Sequence, residues 1–392
     1  MHLTVRNHAK MFAVMAFTTI AVSYAPTSEA IPAFARKYKV ECSACHSAMP
    51  YLNAEGRRFK EAGYRILAEG SEPQDEMAAA ATEQISDTLI WDKYFPVSAR
   101  FKGYVYDDVK GEEFKLRPSH EIEIFAAGNY WKEGSFFIEI EGEDEDGWDT
   151  FVVGSFGWHP LQGANVIAGY GPILAVDPYN SLQDGGRRLT VSHKLPLDVR
   201  AGGTRFRSDS SYATFYGRAG KLYYAAGLSG GNSNPEGEDP RDYLGRIAFD
   251  FTPKVMLGGL YYSGNRDQDD GELDIARYGI DFNIEIGNLS ALGMYLKNDE
   301  ELAGFSDVSN DSAYVELLYV TRRDDDPFIV PLVRYDWTER SNGSIDYAFV
   351  TGQVGVYPIQ NLKLALEYSR DVQVAEGVEK SNRLTLLADV NF

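Results

Sequence analysis

The chain has 392 residues, with 58 acidic against 38 basic side chains and a formal net charge of −20. A balance this acidic argues against a nucleic-acid partner and favours cations or basic proteins. The 25 tyrosines and 37 glycines point to many strands meeting lipid interfaces rather than to a helical enzyme.

Residues 1–30 read as an export signal. Arg6 and Lys10 give a positive start, Met11 to Ala25 an apolar run, and Ser28-Glu29-Ala30 a small-x-small cleavage site, so the mature chain is expected to begin at Ile31. That run is too short for a membrane helix, and no later stretch approaches the roughly 20 apolar residues that a spanning helix needs.

Both cysteines fall within Cys42-Ser43-Ala44-Cys45-His46. Two thiols at this spacing can add to the two vinyl groups of one haem, while His46 is placed to ligate the iron from the proximal side. A thioredoxin-like dithiol would want a βαβ context, and half a zinc site would need a second ligand pair. Neither context is nearby, so one covalent haem c is the expected cofactor. Together with the export signal it points to the bacterial periplasm.

Residues 31–91 read as a monohaem cytochrome c segment of short helices and loops. Glu55 to Glu61 is helical in character, and Ala78 to Gln84 is rich in alanine. About sixty residues seldom bury enough apolar surface to fold alone, so this segment needs a host.

From residue 92 to 392 the pattern changes to period two. Arg246, Ala248 and Asp250 share one face and Ile247, Phe249 and Phe251 the other. Arg277, Asp281, Asn283 and Glu285 likewise oppose Tyr278, Ile280, Phe282 and Ile284. A barrel in lipid needs this alternation, and an open sheet edge in a bilayer would strand its backbone groups. The expected fold is therefore mainly β, an antiparallel outer-membrane barrel of 16–18 strands in contact with outer-membrane lipids, preceded by the small helical segment. A soluble sandwich or lipocalin-like fold is the alternative. The segmentation gives eighteen strands, two of them weak near Ser210 to Gly230. Pro358 to Asn361, Gly287-Asn288, Thr252 to Lys254 and Leu195-Pro196 read as short periplasmic turns. The connections Asp299 to Asp311, Asn265 to Glu272, Asn232 to Asp242, Asp177 to Gly186 and Glu143 to Gly147 read as outer loops. An even count puts both ends of the barrel on the periplasmic side.

The stretch Ile31 to Arg36, the CSACH motif, Pro50 to Asn53, Gly56 to Lys60 and Gly63-Tyr64 resemble the amino-terminal segment of fused outer-membrane monohaem cytochrome-porins, of which those of iron-oxidising bacteria are the best known. The motif resemblance covers Ile31 to Tyr64; the barrel resembles that family by architecture, length and its terminal Phe392. It implies a haem within or against the pore that takes electrons from extracellular iron(II) and passes them to a periplasmic electron carrier. Two other roles stay open, a porin whose haem-bearing segment acts as a plug and a conduit delivering electrons outward.

The ligand opposite His46 has two candidates, Met77 in the linker and His159, whose parity aims it into the lumen near the inner mouth. Met49 is expected to pack on the proximal side, His193 to sit in the aromatic girdle, and His120 to lie on the Ile122 side near the outer rim. The outer carboxylates Glu143 to Asp146, Asp267, Asp269 and Asp270 could concentrate iron(II), although plain solvated surface is the better explanation of them. Lumenal Glu121, Glu123, Glu139, Glu141, Asp250, Asp281 and Arg334 are expected to form a structural charge ladder. No nucleophile elbow, P-loop or dinucleotide fingerprint supports hydrolytic or nucleotide chemistry.

Overall fold

The computed structural model describes residues 33–38, 40–65, 96–131, 133–144, 149–182, 189–192, 209–230, 242–268, 271–302, 307–341 and 346–391. Ahead of the barrel lie the helix Ala33–Tyr38, a 3-10 turn Cys42–Ala44, a small hairpin of β1 (His46–Ala48) and β2 (Tyr51–Leu52), and the helix Ala54–Glu61. The first strands of the barrel are β3 (Val97–Val109), β4 (Lys115–Asn129), β5 (Gly134–Glu143), β6 (Asp149–Leu161) and β7 (Ala164–Gly171). They are followed by β8 (Ser210–Ala219), β9 (Leu222–Ser229), β10 (Asp242–Thr252), β11 (Val255–Gln268), β12 (Gly271–Ile286) and β13 (Leu289–Leu302). After β14 (Val308–Tyr319), the two-residue strands β15 (Arg322–Arg323) and β16 (Asp326–Pro327) make a separate hairpin. Then come β17 (Ile329–Arg340), β18 (Asp346–Ile359), β19 (Leu362–Gln373) and β20 (Asn382–Asn391).

Sixteen of these strands close into one antiparallel barrel, with β20 paired back onto β3. The alternation read from the sequence sets which face is which. Ile247 and Ile280 point outward, 59 % and 61 % exposed, while Arg246 and Asp281 point inward, 2 % and 1 %. An outer face of Phe, Ile, Leu, Val and Tyr suits hydrocarbon, and closure leaves no edge for it to strand. Among the described residues no helix is long and apolar enough to cross a membrane.

Among the described residues sixteen strands form the barrel, within the expected range of 16–18. Those expected near Ser210 to Gly230 are both present, as β8 and β9, and β7 pairs directly with β8. Asp177, expected in an outward loop, does not face outward. Residues 172–182 fold into the lumen, where Ile173, Leu174, Val176, Tyr179 and Leu182 are buried. Asp177 accepts a hydrogen bond from Arg246 Nε at 2.9 Å, and Tyr314 donates to the Ser181 carbonyl at 2.7 Å. Turn-like residues and alternating polarity gave this segment the look of a hairpin, but its apolar side chains serve an interior. The Leu195-Pro196 turn lies outside the described residues.

The turns mostly divide by length as expected. Gly287 takes φ of 58°, a left-handed value that suits the two-residue hairpin Gly287-Asn288. At the opposite end β11 and β12 reach to Gln268 and from Gly271, so the loop expected from Asn265 to Glu272 is mostly strand. The lumen also differs from a uniformly polar one. Leu260, Tyr262, Leu273, Ile275, Leu292, Met294 and Leu296 line β11 to β13 and join Ala48, Tyr51, Ile173 and Leu182 in one apolar cluster. The core of this protein therefore lies inside its barrel. Runs such as Ala291-Leu292-Gly293-Met294-Tyr295-Leu296, apolar on both faces, are its trace in the sequence.

Candidate functional site

Residues 33–65 sit in the end of the barrel that carries the short turns and touch its wall around the full circle. Arg36 donates to the Val97 carbonyl on β3, and Asn129 on β4 donates to the Gly63 carbonyl at 2.8 Å. Arg218 on β8 binds Glu61, and Arg57 donates to the Pro253 carbonyl at 2.6 Å and to Glu285 at 2.7 Å. Tyr51 donates to Glu316, Tyr357 to the Met49 carbonyl at 3.0 Å, and the Cys42 amide to Gln360 at 2.9 Å. The inward connection completes the seal. Asn180 bonds both the amide and the carbonyl of Leu52, each at 2.9 Å. These residues form a plug held by buried polar contacts.

Within the plug, Cys42 and Cys45 stand at the two ends of one 3-10 turn closed by Cys45 N–H to the Cys42 carbonyl at 3.1 Å, and no disulfide joins them. Burial pushes the Cys42 thiol up to about 11, with Glu41 and Asp326 adding to it, and burial raises the Cys45 thiol as well. A reactive dithiol requires the reverse, a thiolate favoured near neutral pH. Among the described residues the cysteines join no cluster of metal-ligating side chains, which removes the support for half a zinc site.

His46 follows directly and opens β1. Its Nδ1 lies 3.0 Å from the Pro50 carbonyl oxygen, which can only accept, so Nδ1 carries the hydrogen and the neutral ring keeps its lone pair on Nε2. A backbone carbonyl fixing the tautomer and ring in this way is the usual support of a metal-ligating histidine. Two unbridged thiols on one turn and an imidazole with its lone pair on Nε2 fit the requirements of haem c attachment.

Asn53 holds this turn to the following helix. Its Oδ1 accepts from Gly56 N at 3.0 Å as the helix cap, while its Nδ2 donates to the Ser43 and Ala44 carbonyls, both at 3.1 Å. Gly56 then passes so close that a Cβ there would lie 2.1 Å from the Cys45 carbonyl oxygen. Behind the helix, Phe34, Tyr38, Phe59 and Tyr64 pack ring against ring, with centroids 4.9 to 5.9 Å apart. The residues that carried the family resemblance are thus those that build the plug and seat it. Their partners on the barrel, Arg218, Glu285, Glu316 and Gln360, had no signal beyond lumenal parity or a place in a turn.

His159 points into the lumen, as its parity predicts. Its Nε2 lies 2.7 Å from Ser135 Oγ and its Nδ1 3.0 Å from the Tyr216 hydroxyl, and the backbone of Gly63 lies against the ring. Met49 packs against the apolar cluster inside the barrel. Met77 and His193 lie outside the described residues. The expectation for His120 is corrected. It is 4 % exposed, its Nδ1 lies 2.7 Å from Asp144, and its ring packs 4.5 Å from that of Tyr104. The register of β3 and β4 shifts between Lys102 and Tyr104, so His120 and Glu121 both turn inward and strict alternation fails. Asp144, expected among the loose outer carboxylates, is held by Arg117 and His120. Glu145, Asp146, Asp269 and Asp270 lie outside the described residues.

Three lumenal arginines each bridge two carboxylates. Arg246 binds Asp177 and Asp281, Arg218 binds Glu61 and Asp250, and Arg334 binds Glu316 and Asp336. Pairing of this kind is what allows arginine and carboxylate to be buried at all.

No known family profile matches the chain, and no curated protein matches it by sequence. Solved structures match its fold. A loop-deletion form of OmpT, an outer membrane protein of Vibrio cholerae, aligns with a TM-score of 0.57 at 11 % identity over 76 % of this chain and 98 % of its own. The anion-selective porin of Comamonas acidovorans gives 0.55 at 10 % over 76 % and 98 %. The outer membrane channel DcaP of Acinetobacter baumannii gives 0.53 at 10 % over 76 % and 95 %. The class is therefore that of porin-fold β-barrels. Within it, this chain is a sixteen-stranded barrel whose short-turn mouth is filled by its own amino-terminal segment.

Proposed function

We propose that the protein is a porin-type barrel of the outer membrane whose plug carries one covalent haem c on Cys42 and Cys45 with His46 as proximal ligand, serving electron transfer across that membrane. The observation that carries this reading is the seat of the CxxCH turn, fixed in the mouth of the barrel by Gln360, Tyr357 and the Arg57 contacts. When bound, the haem supplies one-electron redox chemistry. The chain's own contribution is to orient the imidazole through Pro50 and to hold the turn in the mouth, for which the short turns support a periplasmic orientation. The hydrocarbon core is about 30 Å thick, so a haem facing only one side could not bridge it. A donor reaching the plug through the lumen, and a protein carrier meeting it from the periplasm, resolve that difficulty. Extracellular iron(II) is the proposed donor and a periplasmic c-type cytochrome or similar carrier the proposed acceptor.

Stopped-flow mixing of oxidised, purified protein with iron(II) tests this directly. Haem reduction is expected, and an unreduced haem at the working pH removes the iron reading. The likeness of the barrel to solved porins favours a second reading, a channel that its haem-bearing plug closes or gates. Ion conductance through the intact protein in planar bilayers would select it. A midpoint potential too low to accept electrons from iron(II) would select the outward conduit.

For the second axial position we propose Met77 or His159. Changing each to alanine and recording the haem spectrum is expected to alter the spectrum in one variant alone, and unchanged spectra in both would exclude both. The hydroxyls of Ser135 and Tyr216 on its ring nitrogens require His159 to exchange a hydrogen bond for iron, which weights the choice towards Met77.

A further inference from the structure

On the lumenal face of β4 and β5, Glu121 stands opposite Glu143 and Glu123 opposite Glu141. Like charges directly across a strand pair are destabilising, and here there are two such pairs in succession. Ligand oxygens of Glu121, Glu123 and Glu141 come within 4.8 Å of one another. The cations beside them do not balance the set. Arg100 divides its guanidinium between Glu123 at 3.0 Å and Asp389 at 2.7 Å, and the Lys102 ammonium goes to Glu121 Oε2. Glu121, Glu123 and Asp389 thus take up Arg100 and Lys102, with Lys363 opposite Asp389 and no cation bound to Glu141 in these pairs.

One atom shows the shortfall. Glu121 is 3 % exposed, yet its Oε1 accepts no hydrogen bond, and Arg100 Nη1 stays 3.6 Å away. A buried carboxylate oxygen left without a donor is costly, and a cation bound among these carboxylates would relieve it. Glu141 is only half-buried, which opens one side of the group to the lumen.

We propose that Glu121, Glu123 and Glu141 bind a hard divalent cation within the barrel, and that iron(II) is the ion held there during the reaction proposed above. Carboxylate oxygens with water completing the shell suit ions that prefer oxygen ligands, and the mixed charges nearby keep the site from becoming a permanent trap. A relay of side chains connects the site with the plug. Asp389, which shares Arg100 with Glu123, pairs across the strands with Lys363, and Lys363 lies beside Tyr357, whose hydroxyl holds the Met49 carbonyl. Cation binding stands without the haem reading; the use of iron(II) rests on it.

Manganese(II) alone is the probe for binding, followed in the full-length protein by loss of the free-ion paramagnetic resonance signal. The wild type is expected to take up manganese(II) at a site that Glu141→Gln and Glu121→Gln weaken at least about tenfold. Glu379→Gln, on the exposed outer rim, is expected to bind as the wild type does. Heat-modifiable migration on denaturing gels confirms that each barrel is folded. Equal uptake by wild type and Glu141→Gln, or no uptake by wild type at millimolar ion, overturns the site. A second arm follows haem reduction at limiting iron(II), which Glu141→Gln is expected to slow. If wild-type haem is not reduced by iron(II) while manganese(II) uptake still depends on Glu141, the site stands and the iron reading falls.

Discussion

A Gly56→Ala variant is expected to form its barrel and lose its plug. The added methyl group would lie 2.1 Å from the Cys45 carbonyl oxygen and 3.0 Å from the Cys45 carbonyl carbon. Both are backbone atoms of the turn that carries the cysteines, so no side chain can rotate away to relieve them. Overpacking that forces the backbone to move costs up to about 3 kcal/mol and sometimes more. The strain falls on the hydrogen bond from Asn53 N to the Cys45 carbonyl, 2.9 Å, and on the Asn53 cap beside it. The barrel is built from other residues and should be unaffected. Heat-modifiable migration is therefore expected to match the wild type, while residues 33–65 become open to protease, covalent haem stain falls and ion conductance rises. Protease resistance and conductance equal to the wild type would show that the turn does not need this close approach.

Replacing Arg57 by methionine is expected to act on the other side of the same helix. Its guanidinium, with a side chain 8 % exposed, meets Glu285, 12 % exposed, and donates to the carbonyls of Leu52 and Pro253. Removing one partner of a buried pair leaves the other charge uncompensated, at about 3–5 kcal/mol. That cost is paid only while the plug is seated, since withdrawal returns Glu285 to water. The variant is thus expected to populate an unplugged state, read as faster proteolysis of residues 33–65 at unchanged barrel stability. Adding Glu285→Gln should recover part of the loss, because it removes the stranded charge. A double-mutant cycle with no coupling between the two positions would defeat the argument.

Much of this was legible in the residues. The strands after β9 follow their hydrophobic alternation closely, because lipid on one face and an interior on the other leave each position a single choice. The CxxCH motif is legible because its five residues are contiguous, and the helix over Ala54–Glu61 because its polar character is local. Three features were not. The inward fold of residues 172–182 resembles a hairpin in composition, since only the direction of the chain, set by long-range packing, separates the two. The turn of His120 into the lumen follows from a register shift, which has no marker in the order of residues. The seat of the plug pairs groups 61 to 319 positions apart, such as Arg36 with the Val97 carbonyl and Gln360 with Glu41.

The sequence by itself determined the faces of the strands and the closure that a membrane demands of them, and it set Cys42, Cys45 and His46 side by side in one short motif. Each of these depends on neighbours within a few residues or on a repeating solvent boundary. Only the tertiary structure decided that sixteen strands close the barrel, that its core lies inside, and that Arg57, Tyr51 and Asn180 fix the plug in the mouth. Those outcomes turn on which buried charges and carbonyls find partners across the lumen. Such pairings are settled by the cost of leaving any of them unpaired, a sum over the whole interior that no local pattern records.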